Sequence, residues 1–113
     1  MKTIQDNYTN SKDLNWKPSK LVGFSSKQLS LLNNCSFKLI KIEPHAMYPT
    51  HSHPNKTETL LIISGTLAIT IGDIRYQGIT HDFFVFPSGA RHSIMNLTNK
   101  ECLVYVTSIK NEN

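Results

Sequence analysis

Two imidazoles and a carboxylate fall close together in this chain, at His51, His53 and Glu58. Histidines two positions apart share one face of an extended strand, because strand side chains alternate with period two. On a helix the same spacing would splay them by roughly 200°, too far for one ion. Glu58 opens the next apolar run, Thr59-Leu60-Leu61-Ile62-Ile63, and converges with the two histidines if the loop between the strands is tight. Two imidazoles and one carboxylate suit Fe(II), Mn(II), Ni(II), Zn(II) or Cu(II). A fourth candidate, His92, lies downstream.

The elements that must position these groups read as strands. Phe37 to Glu43 is β-rich and stops at Pro44. Leu60 to Ile63 is apolar on both faces and runs into Ser64-Gly65, a two-residue hairpin signal. Thr66 to Ile71 alternates cleanly, with Leu67, Ile69 and Ile71 on one side. Gly72-Asp73 turns the chain into Ile74 to Gly78. Phe83 to Phe86 is a buried strand by composition and ends at the Pro87-Ser88-Gly89 turn. His92 to Asn96 and Cys102 to Ser108 supply two more strands. Leu21 to Phe24 suggests a short strand, and Ser25 to Asn34 reads as a short helix or a loop. Many short strands without a long helix predict an antiparallel sandwich or barrel.

Length and composition set the bounds. A chain of 113 residues is one domain by length and long enough for a real core. Residues 1–20 are polar, with Trp16 as the one large anchor, and read as an arm; residues 21–113 form the domain. No apolar run approaches the ~20 residues of a membrane span, and the polar start lacks a signal-peptide core. The expectation is a cytoplasmic protein without a membrane partner. The net charge is +4, but the lysines are scattered and form no basic stripe, which argues against nucleic acid. Cys35 and Cys102 are far apart and read as buried free thiols.

Two segments resemble the paired signature motifs of the cupin superfamily. His51, His53, Glu58 and Gly65 fit H-x-H-x4-E-x6-G, and Pro87, Gly89, His92 and Asn96 fit P-x-G-x2-H-x3-N. The glycine that opens each motif is replaced, by His45 and by His81. Both replacements fall where glycine would allow positive φ, which histidine tolerates better than most residues.

The resemblance implies a small single-domain cupin: an all-β antiparallel barrel, or jelly roll, holding one divalent transition metal (Fe, Mn, Zn, Ni or Cu). Its ligands would be His51, His53, Glu58 and His92, with two positions of a six-coordinate ion left open. The Pro87-Ser88-Gly89 turn would aim His92 inward, and Asn96 would fix backbone geometry. His45 and His81 are expected to be structural or exposed. Phe37, Met47 and Tyr105 are candidates for lining a substrate pocket, and Tyr48 and Arg75 for gripping a substrate. The implied activity is that of a metal-dependent isomerase or dioxygenase acting on an oxygen-rich small molecule, such as a sugar derivative, keto acid or phenolic. The alternative is a non-catalytic sugar-binding, ligand-binding or sensor cupin. The doubly apolar strand and the polar arm together predict a homodimer.

Overall fold

The computed structural model describes residues 7–111. Ten strands follow in order: β1 (Lys17–Pro18), β2 (Phe24–Leu32), β3 (Cys35–Ile42), β4 (Met47–His51), β5 (Lys56–Ser64), β6 (Leu67–Ile71), β7 (Ile74–Gly78), β8 (Phe83–Phe86), β9 (His92–Met95) and β10 (Cys102–Lys110). They form a six-stranded sheet, β1-β2-β3-β10-β5-β8, and a four-stranded sheet, β4-β9-β6-β7. Every pairing is antiparallel. The two sheets enclose one core, in which Ile42, Leu60, Ile62, Leu67, Ile69 and Val104 are almost fully buried. This is the jelly-roll barrel that the strand pattern and the motifs predict.

The alternation of β6 is as read: Leu67 and Ile69 are buried, Ala68 and Thr70 half-buried. Gly72-Asp73 closes a true hairpin, with Ile71 opposite Ile74. Ser64-Gly65 does not. β5 and β6 lie in different sheets, so the turn carries the chain across the barrel. Gly65 sits at φ +107°, and a Cβ there would come within 2.8 Å of Cys102 Sγ. The glycine therefore marks a close approach rather than a hairpin. Cys102 is buried and its thiol is pushed up to about 11 by desolvation; Cys35 is also free, but only half-buried.

The stretch expected to be helix or loop, Ser25 to Asn34, is mostly strand β2 and the turn after it. Its apolar residues fail to alternate because a bulge shifts the register between Gln28 and Ser30. Asn33-Asn34 then closes a two-residue hairpin, with Leu32 opposite Cys35 and Asn33 at φ +48°.

The described part of the arm, from residue 7, folds back on its own chain. β1 pairs with β2 through Lys17 opposite Ser26. Thr9 Oγ1 donates to the Leu29 carbonyl at 3.1 Å, and Lys27 Nζ to the Ser11 carbonyl at 2.8 Å. Trp16 lies under the ammonium groups of Lys27 and Lys41, 4.7 and 4.6 Å from its ring centroid. The boundary expected at residue 20 is thus a turn within the sheet.

His45 and His81 both adopt positive φ, 64° and 76°. They occupy the left-handed geometry that the glycines of the two motifs would supply. Both are exposed, and His45 Nε2 donates to Asn99 Oδ1 at 2.8 Å.

Candidate metal centre

β4 ends at His51, and His53 stands just beyond it in the loop to β5. The two imidazoles therefore do not share a strand face as expected; the loop curls to bring His53 back. It is held there from the second motif. The Gly89 amide donates to the His53 carbonyl at 2.8 Å, and Ser88 Oγ donates to the Pro54 carbonyl at 2.7 Å. His92 opens β9 directly opposite His51.

One ring nitrogen from each of His51, His53 and His92 falls within 4.8 Å of the other two. Nitrogens bound to one metal at about 2.1 Å lie about 3.0–3.4 Å apart at octahedral or tetrahedral angles, so the set closes on an ion by side-chain movements of about 1–2 Å. Glu58, early in β5, places Oε1 3.4 Å from His53 Nε2 and 4.0 Å from His92 Nε2. The structure brings all four expected ligands together.

Two of the rings are pre-oriented. His51 Nδ1 donates to the Pro49 carbonyl at 2.8 Å, and His92 Nδ1 to the Ala90 carbonyl at 3.1 Å. A carbonyl only accepts, so each Nδ1 carries the proton and each Nε2 presents a bare lone pair. Aromatic rings fix the planes. Tyr48 stacks on His51 with centroids 3.6 Å apart, and Phe86 on His92 at 4.4 Å. His51 Nε2 is fully buried without a hydrogen-bond partner, the only such side-chain atom among the described residues. A buried polar atom without a partner costs about 1–3 kcal/mol, and a metal ion would remove that cost. The donor set thus fits a divalent transition metal.

Burial also keeps the site in the metal-ready state. His53 and His92 titrate below the usual histidine range, chiefly because desolvation penalises the imidazolium, with the neighbouring His51 adding to the effect. Glu58 works in the opposite direction on both. The Tyr48 hydroxyl titrates above its ordinary value, through burial first and the Glu58 carboxylate second.

Glu58 and His92 form part of the wall of a cavity of about 270 Å³ between the sheets. Tyr48 lines it as expected. The other pocket candidates do not. Phe37 and Tyr105 occupy the strand positions opposite in parity to the inward-facing Lys38, Val104 and Val106, so they lie on the outer face. Met47 is exposed beside the inward Tyr48, and Arg75 is exposed on β7 of the other sheet. The wall instead uses Phe24, Ile40 and Phe86, with Ser19, Lys20 and Lys38 among its polar residues. Parity in Phe37-Lys38-Leu39-Ile40-Lys41 has no marker in the sequence, because a lysine falls on each face.

Residues 38–108 match the Cupin domain family. The chain belongs to the cupin family. Among its relatives is germin-like protein subfamily 1 member 13 of Arabidopsis thaliana, 32% identical over 83 residues, covering 62% of this chain and 36% of that protein. The chain spans about a third of the length of the curated relatives it matches. Among solved structures, a predicted oxalate decarboxylase from Thermotoga maritima superposes with a TM-score of 0.83 at 19% identity, covering 91% of this chain and 98% of that one. A sugar phosphate isomerase from Silicibacter pomeroyi superposes with a TM-score of 0.80 at 19% identity, covering 92% and 76%. At these identities the superpositions show the cupin fold.

Proposed function

We propose that this cupin binds one divalent transition metal through His51, His53, Glu58 and His92 and acts as a small metal-dependent enzyme on an oxygen-bearing small molecule. The observation that carries the reading is the buried, partnerless Nε2 of His51, aimed at the ring nitrogens of two further histidines. A bound ion would supply Lewis-acid polarisation of a ligand oxygen. The chain's own residues do the rest. The Pro49 and Ala90 carbonyls fix the tautomers, and Phe86 and Tyr48 hold the rings. The largely apolar cavity wall flanks the face where Glu58 and His92 open into it.

The cavity supports a small substrate, since about 270 Å³ is near the lower end of ligand pockets. Isomerase and dioxygenase chemistry are both compatible with such a site. The structural neighbours include a sugar phosphate isomerase and a predicted oxalate decarboxylase, which supports a polar, oxygen-rich substrate class. Elemental analysis of protein purified without added metal separates the branches. Stoichiometric iron with oxygen uptake on a keto-acid or phenolic screen favours the dioxygenase. Manganese, zinc or nickel with turnover independent of oxygen favours the isomerase. A metal-free preparation that also fails to bind added metal contradicts the reading.

A further inference from the structure

The inward positions of β3 are Lys38, Ile40 and Ile42. Ile42 is fully buried and Ile40 packs against the core, so the lysine is a cation at the end of an apolar stripe. Lys38 lies opposite Val106 of β10, which lies opposite Leu60 of β5. Glu58 is the next inward position along β5. Lys38 therefore faces the same cavity as Glu58 and His92, with its backbone displaced from Glu58 by two strand spacings and two residues along the strand, roughly 12 Å. A second lysine, Lys20, reaches the same wall from the turn between β1 and β2.

Among the described residues neither lysine has a counter-charge. The ion pairs among the described residues all converge on Glu58, from His53, His92 and Lys56. Among the described residues Glu58 is also the only carboxylate in the cavity wall. The Lys38 side chain is half-buried in a wall shared with Ile40, Leu60 and Val106, and it forms no ion pair among the described residues. The wall between the lysines and Glu58 is largely apolar.

We propose that Lys38, assisted by Lys20, receives the anionic end of the ligand that occupies this cavity. The ligand is then a small molecule with a carboxylate or phosphoryl group at one end, a middle section that meets the apolar wall, and its oxygen-bearing other end facing Glu58 and His92. This deepens the metal reading and rests on it only for that second end. Lys38 is a specificity-determining residue: it selects for negative charge at the end of the cavity away from Glu58 and His92.

Three probes of one shape test it: isocaproate, isoamyl phosphate and the neutral isocaproamide. A carboxylate or phosphoryl group can bind a divalent metal directly, so the probes are first compared on chelator-stripped protein, where any preference for the anions comes from the chain's own cations. Calorimetry on the full chain is expected to show an anionic probe binding about 10-fold or more tighter than the amide, with the preference weakening as salt is added. A preference for isoamyl phosphate assigns a phosphoryl group; a preference for isocaproate assigns a carboxylate. Lys38→Met keeps the side-chain length and removes the charge, so it should abolish the preference, and Lys38→Arg should restore most of it. The proposal is overturned if the wild type binds amide and anions alike, if it binds none of them, or if Lys38→Met keeps the preference while folded. Metal content is read on the same preparations before stripping. A wild type that prefers the anions yet never holds metal contradicts the metal reading alone; a metal-loaded one without the preference contradicts the anion site alone.

Discussion

The Gly89 amide donates to the carbonyl of His53 at 2.8 Å, so the turn that introduces one candidate metal ligand, His92, also anchors the loop that carries another. The two motifs are separated in sequence but form one mechanical unit. Gly89 sits at φ +81°, and a Cβ there would meet nothing within 4 Å. Any cost of substitution is therefore conformational, about 1–2 kcal/mol for a residue with a Cβ in the left-handed region. Gly89→Asn should be tolerated best, Gly89→Ala less well and Gly89→Val worst. Metal affinity should fall in the same order, by about 10-fold or more for valine, because a supporting contact of a ligand is lost. Competitive chelator titration measures this ranking; equal affinities across the series would show that the turn does not hold His53.

Asn96 is fully buried and ties three segments together. Its Nδ2 donates to the carbonyls of Ile42, Glu43 and Lys100 at 3.1, 3.2 and 2.8 Å, and its Oδ1 accepts from the Thr98 amide and hydroxyl. Asn96→Leu strips these groups of partners and should destabilise the fold by about 3 kcal/mol, read by urea unfolding. Metal stoichiometry at low temperature should be unchanged, since Asn96 is not among the clustered donors. A variant of native stability would contradict the bracing role.

Metal-stripped protein should lose stability in acid through His53 and His92. Burial lowers both, so their folded values lie below the ordinary histidine value of 6.5. The unfolded chain then binds protons more readily than the folded one, and stability falls with pH in that window. The contribution is fully present above 6.5 and is lost as pH drops through the folded values. Melting temperatures of the stripped wild type between pH 7.5 and 5 should decline, and His92→Phe, which cannot take up the proton, should decline less. A flat wild-type profile would contradict the desolvation account.

The outer face of the six-stranded sheet points to self-association. Leu39, Tyr105, Leu61 and Phe83 form a continuous row across four strands, and Phe83 is 60% exposed. Trp16 lies beside the two lysines at the β2–β3 end of this face, leaving the β10–β5–β8 end to a partner. We propose a second copy, since closed homodimers are the commonest assembly. Light scattering should give twice the 12.8 kDa chain mass, and Phe83→Glu should halve it without unfolding the barrel. A monomeric wild type at micromolar concentration would remove the proposal.

The ligand set was legible because chemistry restricts it. Imidazoles and a carboxylate at fixed spacing leave few alternatives, and the backbone needs of the motifs are visible even where histidine replaces glycine at 45 and 81. The barrel was legible from alternation, as in Leu67 and Ile69. What escaped had a local cause. The bulge after Gln28 broke the period of β2 and hid it. Phe37 and Tyr105 fell on the wrong face because β3 and β10 carry apolar residues on both sides, so parity had no marker. Lys38 and Lys20 became visible as cavity residues only once the fold placed them opposite Glu58.

The central claim is the four-residue metal centre, and metal stoichiometry by elemental analysis tests it most directly. Wild-type protein dialysed against a divalent metal and then against buffer should retain close to one ion per chain. His53→Ala and His92→Ala should each lose most of it while keeping the β-rich circular dichroism of the wild type. Full occupancy in either variant, or none in the wild type, would contradict the account.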